Sequence, residues 1–195
     1  MGGNQELDFS CIEYVFLDRD GVLNRKAAEG GYITRWEEFE LLPRAAEAIA
    51  ALNQSRRKVI VVTNQRGIAR GLFSRDDLER LHERLGGELA AKGAHLDGIY
   101  VCPHDHGQCN CRKPRTGLFE QAFGDFPGAR PENSVMVGDS LSDIEAGTRL
   151  GMRTVFVAED RDNSPEQARA AVLASATVGS LAEFVERCLG CEYEA

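Results

Sequence analysis

A chain of 195 residues, without an apolar run near the ~20 residues of a membrane span, is long enough for one α/β domain with a full core. Its net charge of −8 argues against a broad nucleic-acid or anionic-membrane footprint, although a local basic cluster or a metal can still hold an anionic substrate. The start, Met1-Gly2-Gly3-Asn4-Gln5-Glu6, has neither the basic lead nor the apolar centre of a signal peptide, and Glu6 stands where a myristoylation signal needs Ser or Thr. A cytoplasmic location and a monomer are expected, with no nucleic-acid or membrane partner.

Residues 1–11 read as a lead-in. Glu13 to Leu17 is an apolar run bounded by a turn, the pattern of a buried strand, and it ends at Asp18-Arg19-Asp20-Gly21. A long loop containing Gly30-Gly31-Tyr32 and Trp36 follows to about Leu42. Pro43 suits a first helical position, and Ala45 to Leu52 are strong helix formers. Val59-Ile60-Val61-Val62 predicts a second strand, ending at Thr63-Asn64-Gln65. Ser74-Arg75-Asp76-Asp77 resembles a capping box opening a helix to about Lys92. Leu96–Val101 predicts a third strand, Thr116–Phe123 a helix, Ser134–Val137 a fourth strand ending at Gly138-Asp139. Ser140 or Ser142 opens the next helix, Arg153–Ala158 makes a fifth strand, and one or two helices close the chain. Strands alternating with helices imply right-handed crossovers and a doubly wound parallel sheet, here a single domain over 1–195.

In such a sheet, ligands bind at the carboxyl ends of the strands. Those ends carry Asp18 and Asp20, then Thr63, then Lys113 beyond the third strand, then Asp139 with Asp143 one helical turn on. Alone, an Asp-x-Asp-Gly stretch is equally a polar strand end entering a turn. In this order the set resembles the four motifs of the haloacid dehalogenase-like (HAD-like) phosphohydrolases, from Tyr14 to about Ala158.

The resemblance implies roles residue by residue. Asp18 is the nucleophile that forms an aspartyl-phosphate, and Asp20 is the acid that then serves as base, which calls for a raised pKa. Magnesium takes Asp18, the main-chain carbonyl of Asp20 and Asp139, with Asp143 aimed at the ion or its waters. Asp143 has a plainer role available too, as partner of a helix N-cap. Thr63 donates a hydroxyl to the phosphoryl oxygens, and Lys113 supplies fixed positive charge.

Cys102-Pro103-His104-Asp105-His106-Gly107-Gln108-Cys109-Asn110-Cys111 offers five sulfur or imidazole ligands in ten residues, in a chain with six cysteines. Cys102, His104, Cys109 and Cys111 are assigned to a closed structural zinc site, with His106 left over. Cys111 lies two residues before Lys113, so clamping it would fix Arg112 and Lys113. A chance cluster of free thiols is the plain alternative.

The intervals between the motifs hold core elements and leave no room for a large cap domain, so loops 24–42, 66–71 and the cysteine loop must select the substrate. Asp18-Arg19-Asp20-Gly21, Thr63-Asn64-Gln65, Gly67-Ile68-Ala69-Arg70-Gly71 and Cys111-Arg112-Lys113-Pro114 together look like the heptose-bisphosphate and histidinol-phosphate phosphatases. The Gly-Ile-Ala-Arg-Gly turn and Gly31-Tyr32 look more like the heptose branch. That branch implies removal of the 7-phosphate of D-glycero-D-manno-heptose 1,7-bisphosphate, with Asn64, Gln65, Arg70 and Arg112 binding substrate and Arg112 on the phosphate that stays. The short His104–Cys109 spacing looks more like the histidinol-phosphate branch, and Arg66 adds a cation where a small residue is usual.

Other readings stay open on residues alone. A non-catalytic zinc-stapled binding protein would have no need of intact Asp18, Asp20, Thr63, Lys113 and Asp139. A polynucleotide 3′-phosphatase would want a basic groove, and a dehalogenase would have no use for Asp20 or a metal. Cys188-Leu189-Gly190-Cys191 lies outside any strand-to-helix turn. Trp36 is expected to pack its loop, Arg56-Arg57-Lys58 to edge a strand, and His82 and His95 to lie on the surface.

Overall fold

A computed structural model describes residues 9–28, 30–158 and 164–190. The lead-in Met1–Glu6 and Cys191, the second half of the C-x-x-C, lie outside the described residues.

The strands are β1 (Tyr14–Leu17), β2 (Lys58–Asn64), β3 (Gly98–Cys102), β4 (Ser134–Gly138), β5 (Arg153–Val157) and β6 (Ala176–Val178). They form a six-stranded sheet in the order β3-β2-β1-β4-β5-β6, and every pairing is parallel. The helices are α1 (Ala45–Gln54), α2 (Arg75–Ala91), α3 (Gly117–Asp125), α4 (Leu141–Leu150), α5 (Pro165–Leu173) and α6 (Leu181–Leu189). None of the described helices is long and apolar enough to cross a membrane.

Alternation along β1 explains the layering. Val15 and Leu17 face a core shared with Ile49 and Leu52 of α1, Leu81 and Leu85 of α2, and Phe184 and Val185 of α6. Phe16 faces the other way, into Leu118, Phe119 and Ala122 of α3. Both faces are therefore covered, which is why the strands read as continuous apolar runs. Phe16 is fully buried and sits between Phe119 and Phe123 at centroid distances of 5.4 and 5.6 Å. Removing it would cost about 3–5 kcal/mol.

The strand order reverses direction between β1 and β4, which pair in the register Leu17↔Val137. The next residues on each strand, Asp18 and Gly138, lie side by side, and the Asp18 N–H donates to the Val137 carbonyl at 3.0 Å. Chain reversal at this point opens a crevice at the carboxyl edge. The fold thus sets the first carboxylate at the switch point.

Two expectations need correction. Pro43 is not the first helical residue: the chain turns through Arg44 in the left-handed region (φ 59°), and α1 starts at Ala45. The C-terminal part also contributes β6, whose Ala-Thr-Val has no alternation long enough to mark it; pairing with β5 makes it a strand. The capping box at Ser74 and Asp77 is present, and Ser140 rather than Ser142 caps α4. Trp36 stacks on Phe39 at 5.2 Å with Arg84 over its other face, packing the long loop onto α2.

Candidate active site

Asp18, Asp139 and Asp143 converge, with ligand oxygens all within 4.8 Å of one another. Each arrives on a short, rigid tether: Asp18 and Asp139 directly after β1 and β4, and Asp143 in the first turn of α4. Asp143 takes the capping role anticipated for it and also pairs with Lys113. Its Oδ2 accepts from the Ser140 N–H (3.1 Å) and Oγ (2.6 Å) in a capping box, while its Oδ1 lies 2.6 Å from the Lys113 ammonium. Gly21, at φ +89°, is needed here, because a Cβ at that position would overlap the Asp139 carboxylate.

Lys113 is the buried cation of the site. Its Nζ donates to the Val62 carbonyl at 2.6 Å and forms ion pairs with Asp18 Oδ1 at 2.9 Å and Asp143 Oδ1 at 2.6 Å. Its main chain is latched to β2, since the Lys113 N–H donates to Asn64 Oδ1 (3.1 Å) and Asn64 Nδ2 donates to the Lys113 carbonyl (3.2 Å). Both ends of the Asn64 amide are thereby engaged in orienting Lys113. Gln65 is likewise turned inward: its buried Nε2 donates to Asp20 Oδ2 and to Thr63 Oγ1, both at 2.9 Å. Thr63 accepts that bond and keeps its hydroxyl proton to give away.

Charge and burial set the titration. Burial pushes the Asp18 carboxyl up to about 6, against the pull of Lys113, with Asp143 and Asp20 adding to the rise. Burial also pushes Asp139 up to about 8, against the Lys26 ammonium. Lys113 moves the other way: burial favours its neutral form, but Asp143 and Asp18 outweigh that and hold it charged. Asp20 departs from expectation. Burial would raise it, yet the Arg19 guanidinium, with hydrogen bonds from Asn24, Arg19 and Gln65, holds it below the ordinary carboxylate range. A substrate-free Asp20 is ionised, so the raised pKa expected for an acid is absent in this state.

The carboxylate trio fits a hard divalent cation. Its donors are all oxygens, and Asp139 Oδ1 is buried without a hydrogen-bond partner. Sequence reading missed Lys26, which pairs with Asp139 Oδ2 from the long loop, and Arg19, which lies buried beneath Asp20. Arg19 stands within the Asp18-Arg19-Asp20-Gly21 motif, which does not reveal its contact, and only the loop's path back to the crevice brings Lys26 there.

The cysteine loop stands beside this centre. Cys102 Sγ lies 3.6 Å from Cys109 Sγ and 3.7 Å from His104 Nδ1, and Cys111 Sγ lies 3.3 Å from both. His106 stays outside the group, as anticipated. Arg66 is not a free cation near the substrate loop: its Nε pairs with Asp105 at 2.5 Å, tying residues 66–71 to the cysteine loop. Arg70 lies over the Tyr32 ring at 5.8 Å and so bridges the two loops expected to select the substrate. Arg112, with a buried Nη1 that has no partner, lines a cleft of about 360 Å³ together with Asn64, Lys113, Ser142 and Arg149. His82 is not the surface histidine expected; it is half-buried, and its Nε2 lies 3.2 Å from Arg19 Nη1.

A carboxylate pair split by arginine at one strand end, a buried lysine against it and further carboxylates across the switch point define a HAD-like hydrolase site. Comparisons agree. Residues 110–184 match a family model described as HAD-hydrolase-like. The chain is 47% identical over 132 residues to the D-glycero-alpha-D-manno-heptose-1,7-bisphosphate 7-phosphatase of Mycobacterium tuberculosis, covering 67% of this chain and 69% of the relative. It is 39% identical over 164 residues to the D-glycero-beta-D-manno-heptose-1,7-bisphosphate 7-phosphatase of Vibrio cholerae, covering 80% of this chain and 86% of the relative. The crystal structure of the D,D-heptose 1,7-bisphosphate phosphatase of B. bronchiseptica, complexed with magnesium and phosphate, superposes with a TM-score of 0.80 at 29% identity, over 92% of this chain and 99% of that one. The chain therefore belongs to the HAD-like phosphatase family that contains the heptose-1,7-bisphosphate 7-phosphatases.

Proposed function

We propose that this protein is a magnesium-dependent phosphatase that removes the 7-phosphate of D-glycero-D-manno-heptose 1,7-bisphosphate. The observation that carries the reading is the meeting of Asp18, Asp139, Asp143 and Lys113 at the β1/β4 switch point, in a chain whose relatives act on that sugar.

Asp18 attacks phosphorus in line, and the bond from phosphorus to the sugar oxygen breaks to leave an aspartyl-phosphate. Asp20 gives a proton to the departing oxygen, then takes one from the water that releases inorganic phosphate and regenerates Asp18. A phosphoryl dianion arriving beside Asp18 disfavours an ionised carboxylate nearby, which draws a proton onto Asp20 from its resting charged state. Thr63 and Lys113 offer a hydroxyl and an ammonium to the phosphoryl oxygens. Magnesium, held by Asp18, Asp139 and Asp143 and by the Asp20 carbonyl, would neutralise charge between nucleophile and substrate.

Cys102, His104, Cys109 and Cys111 hold a structural zinc in this reading. Donor gaps of 3.3–3.7 Å are close to the edge of about 3.8 Å for a tetrahedron with zinc–sulfur bonds of about 2.3 Å. The partnerless Arg112 Nη1, in a cleft that also contains Arg149, suits the phosphate that remains on the sugar. The reading extends to a single-domain, monomeric, cytoplasmic enzyme without nucleic-acid partners, supported by the charge of −8.

The test is magnesium-dependent phosphate release from both heptose 1,7-bisphosphate anomers and from histidinol phosphate. Release of one phosphate from a bisphosphate, with little from histidinol phosphate, is expected; preference for histidinol phosphate overturns the substrate.

A further inference from the structure

We propose that His82 is a positioning residue for Asp20, acting through Arg19. The inference rests on the phosphatase reading, in which Asp20 transfers the proton.

Arg19 is 1% exposed, and its contact with Asp20 is not the two-nitrogen fork that fixes a guanidinium against a carboxylate. A single nitrogen, Nη2, lies 3.0 Å from both Asp20 oxygens. A contact through one atom does not by itself fix the guanidinium's rotation about that atom. Nε has no partner to resist that rotation. The Phe39 ring, 5.8 Å from Cζ, covers one face but has no directional grip in the plane. Among the described residues, the other hydrogen-bond partner of the guanidinium is His82 Nε2, 3.2 Å from Nη1.

Arginine can only donate, so His82 must accept through a neutral ring carrying its proton on Nδ1. Burial, with Arg19 adding, holds His82 down to about 4, in keeping with that state. The ring is itself held firmly. Leu81 and Leu85 anchor α2 in the core on either side of His82, and the Ser74–Asp77 capping box fixes the start of the helix. His82 thus connects a rigid helix to the charge that sets the Asp20 carboxylate plane, together with Asn24 on Oδ1 and Gln65 on Oδ2.

The test compares His82→Leu, His82→Asn and His82→Gln on heptose 1,7-bisphosphate and on p-nitrophenyl phosphate, with magnesium. Gln can place an acceptor oxygen near the position of Nε2; Asn is too short and Leu has none. Misplacing the acid should lower kcat/KM for the sugar ester about 10-fold in the Leu and Asn variants, with Gln within about 3-fold of wild type. The loss should be smaller for p-nitrophenyl phosphate, whose leaving oxygen needs little protonation. If Leu does not fold, the two amides decide between them. Equal rates for Asn and Gln, or equal losses on both substrates, overturn the role of His82 alone. A wild-type enzyme inactive on both substrates overturns the phosphatase reading instead.

Discussion

The carboxylate centre and the cysteine loop are neighbours held by different physics. Asp18 and Asp139 ride on the ends of central strands, Asp143 is fixed by a capping box, and the buried Lys113 ammonium is held by the Val62 carbonyl between the Asp18 and Asp143 carboxylates. That geometry belongs to the sheet and persists while the core does. The cysteine loop lies mostly at the surface: His104 and His106 are exposed, Cys102 is its buried anchor, and four donors face one another. One region is shaped by burial, the other by a ligand set. They meet at Cys111-Arg112-Lys113, so the loop can influence catalysis without touching the nucleophile.

Separating the two regions experimentally gives a graded set of outcomes. Asp18→Asn should abolish turnover, by about 10⁴-fold or more, while zinc content by elemental analysis and the unfolding midpoint stay near wild type. Wild-type-like activity in that variant removes Asp18 as nucleophile. Lys113→Met should both inactivate and destabilise, because two carboxylates lose their buried counter-charge; a loss of about 3–5 kcal/mol in urea unfolding is expected. A stable, inactive Lys113→Met enzyme would show that the carboxylates relax by taking up protons.

Gly21→Ala drives a Cβ into Asp139 and places a non-glycine residue at φ +89°. The strain should cost about 1–3 kcal/mol and weaken magnesium binding measured by calorimetry, with zinc unaffected. Cys109→Ser tests the other region: zinc content and the thermal midpoint should fall together, with kcat down about 10-fold as Arg112 and Lys113 lose their fixed entry. Full activity without zinc would make the loop a bystander. The smallest effect belongs to neither region. Ser74→Ala removes the α2 cap and should cost about 1 kcal/mol of stability with kcat unchanged.

Much of this was legible in the residues. Apolar runs ending in polar groups located five of the strands, and the order Asp18, Asp20, Thr63, Lys113, Asp139 identified the chemistry because rigid strand ends are where such groups can be aligned. The density of soft ligands marked the cysteine loop. What failed did so for reasons of contact. The motif marks Asn64 and Gln65 as substrate-binding, but it does not show that their amides hold Lys113, Thr63 and Asp20. A general-acid role calls for a raised pKa at Asp20, and burial does push it that way; the opposing Arg19 is a sequence neighbour whose side-chain direction no pattern reveals.

The sequence by itself determined the α/β class, the strand ends that bear the reacting groups and the ligand set of the loop, because periodicity and residue chemistry are local properties. Tertiary structure alone decided the partnerships: Lys26 with Asp139, His82 with Arg19, Arg66 with Asp105 and the short strand β6 with β5. Each joins segments distant along the chain, and only packing against the sheet fixes which donor meets which acceptor.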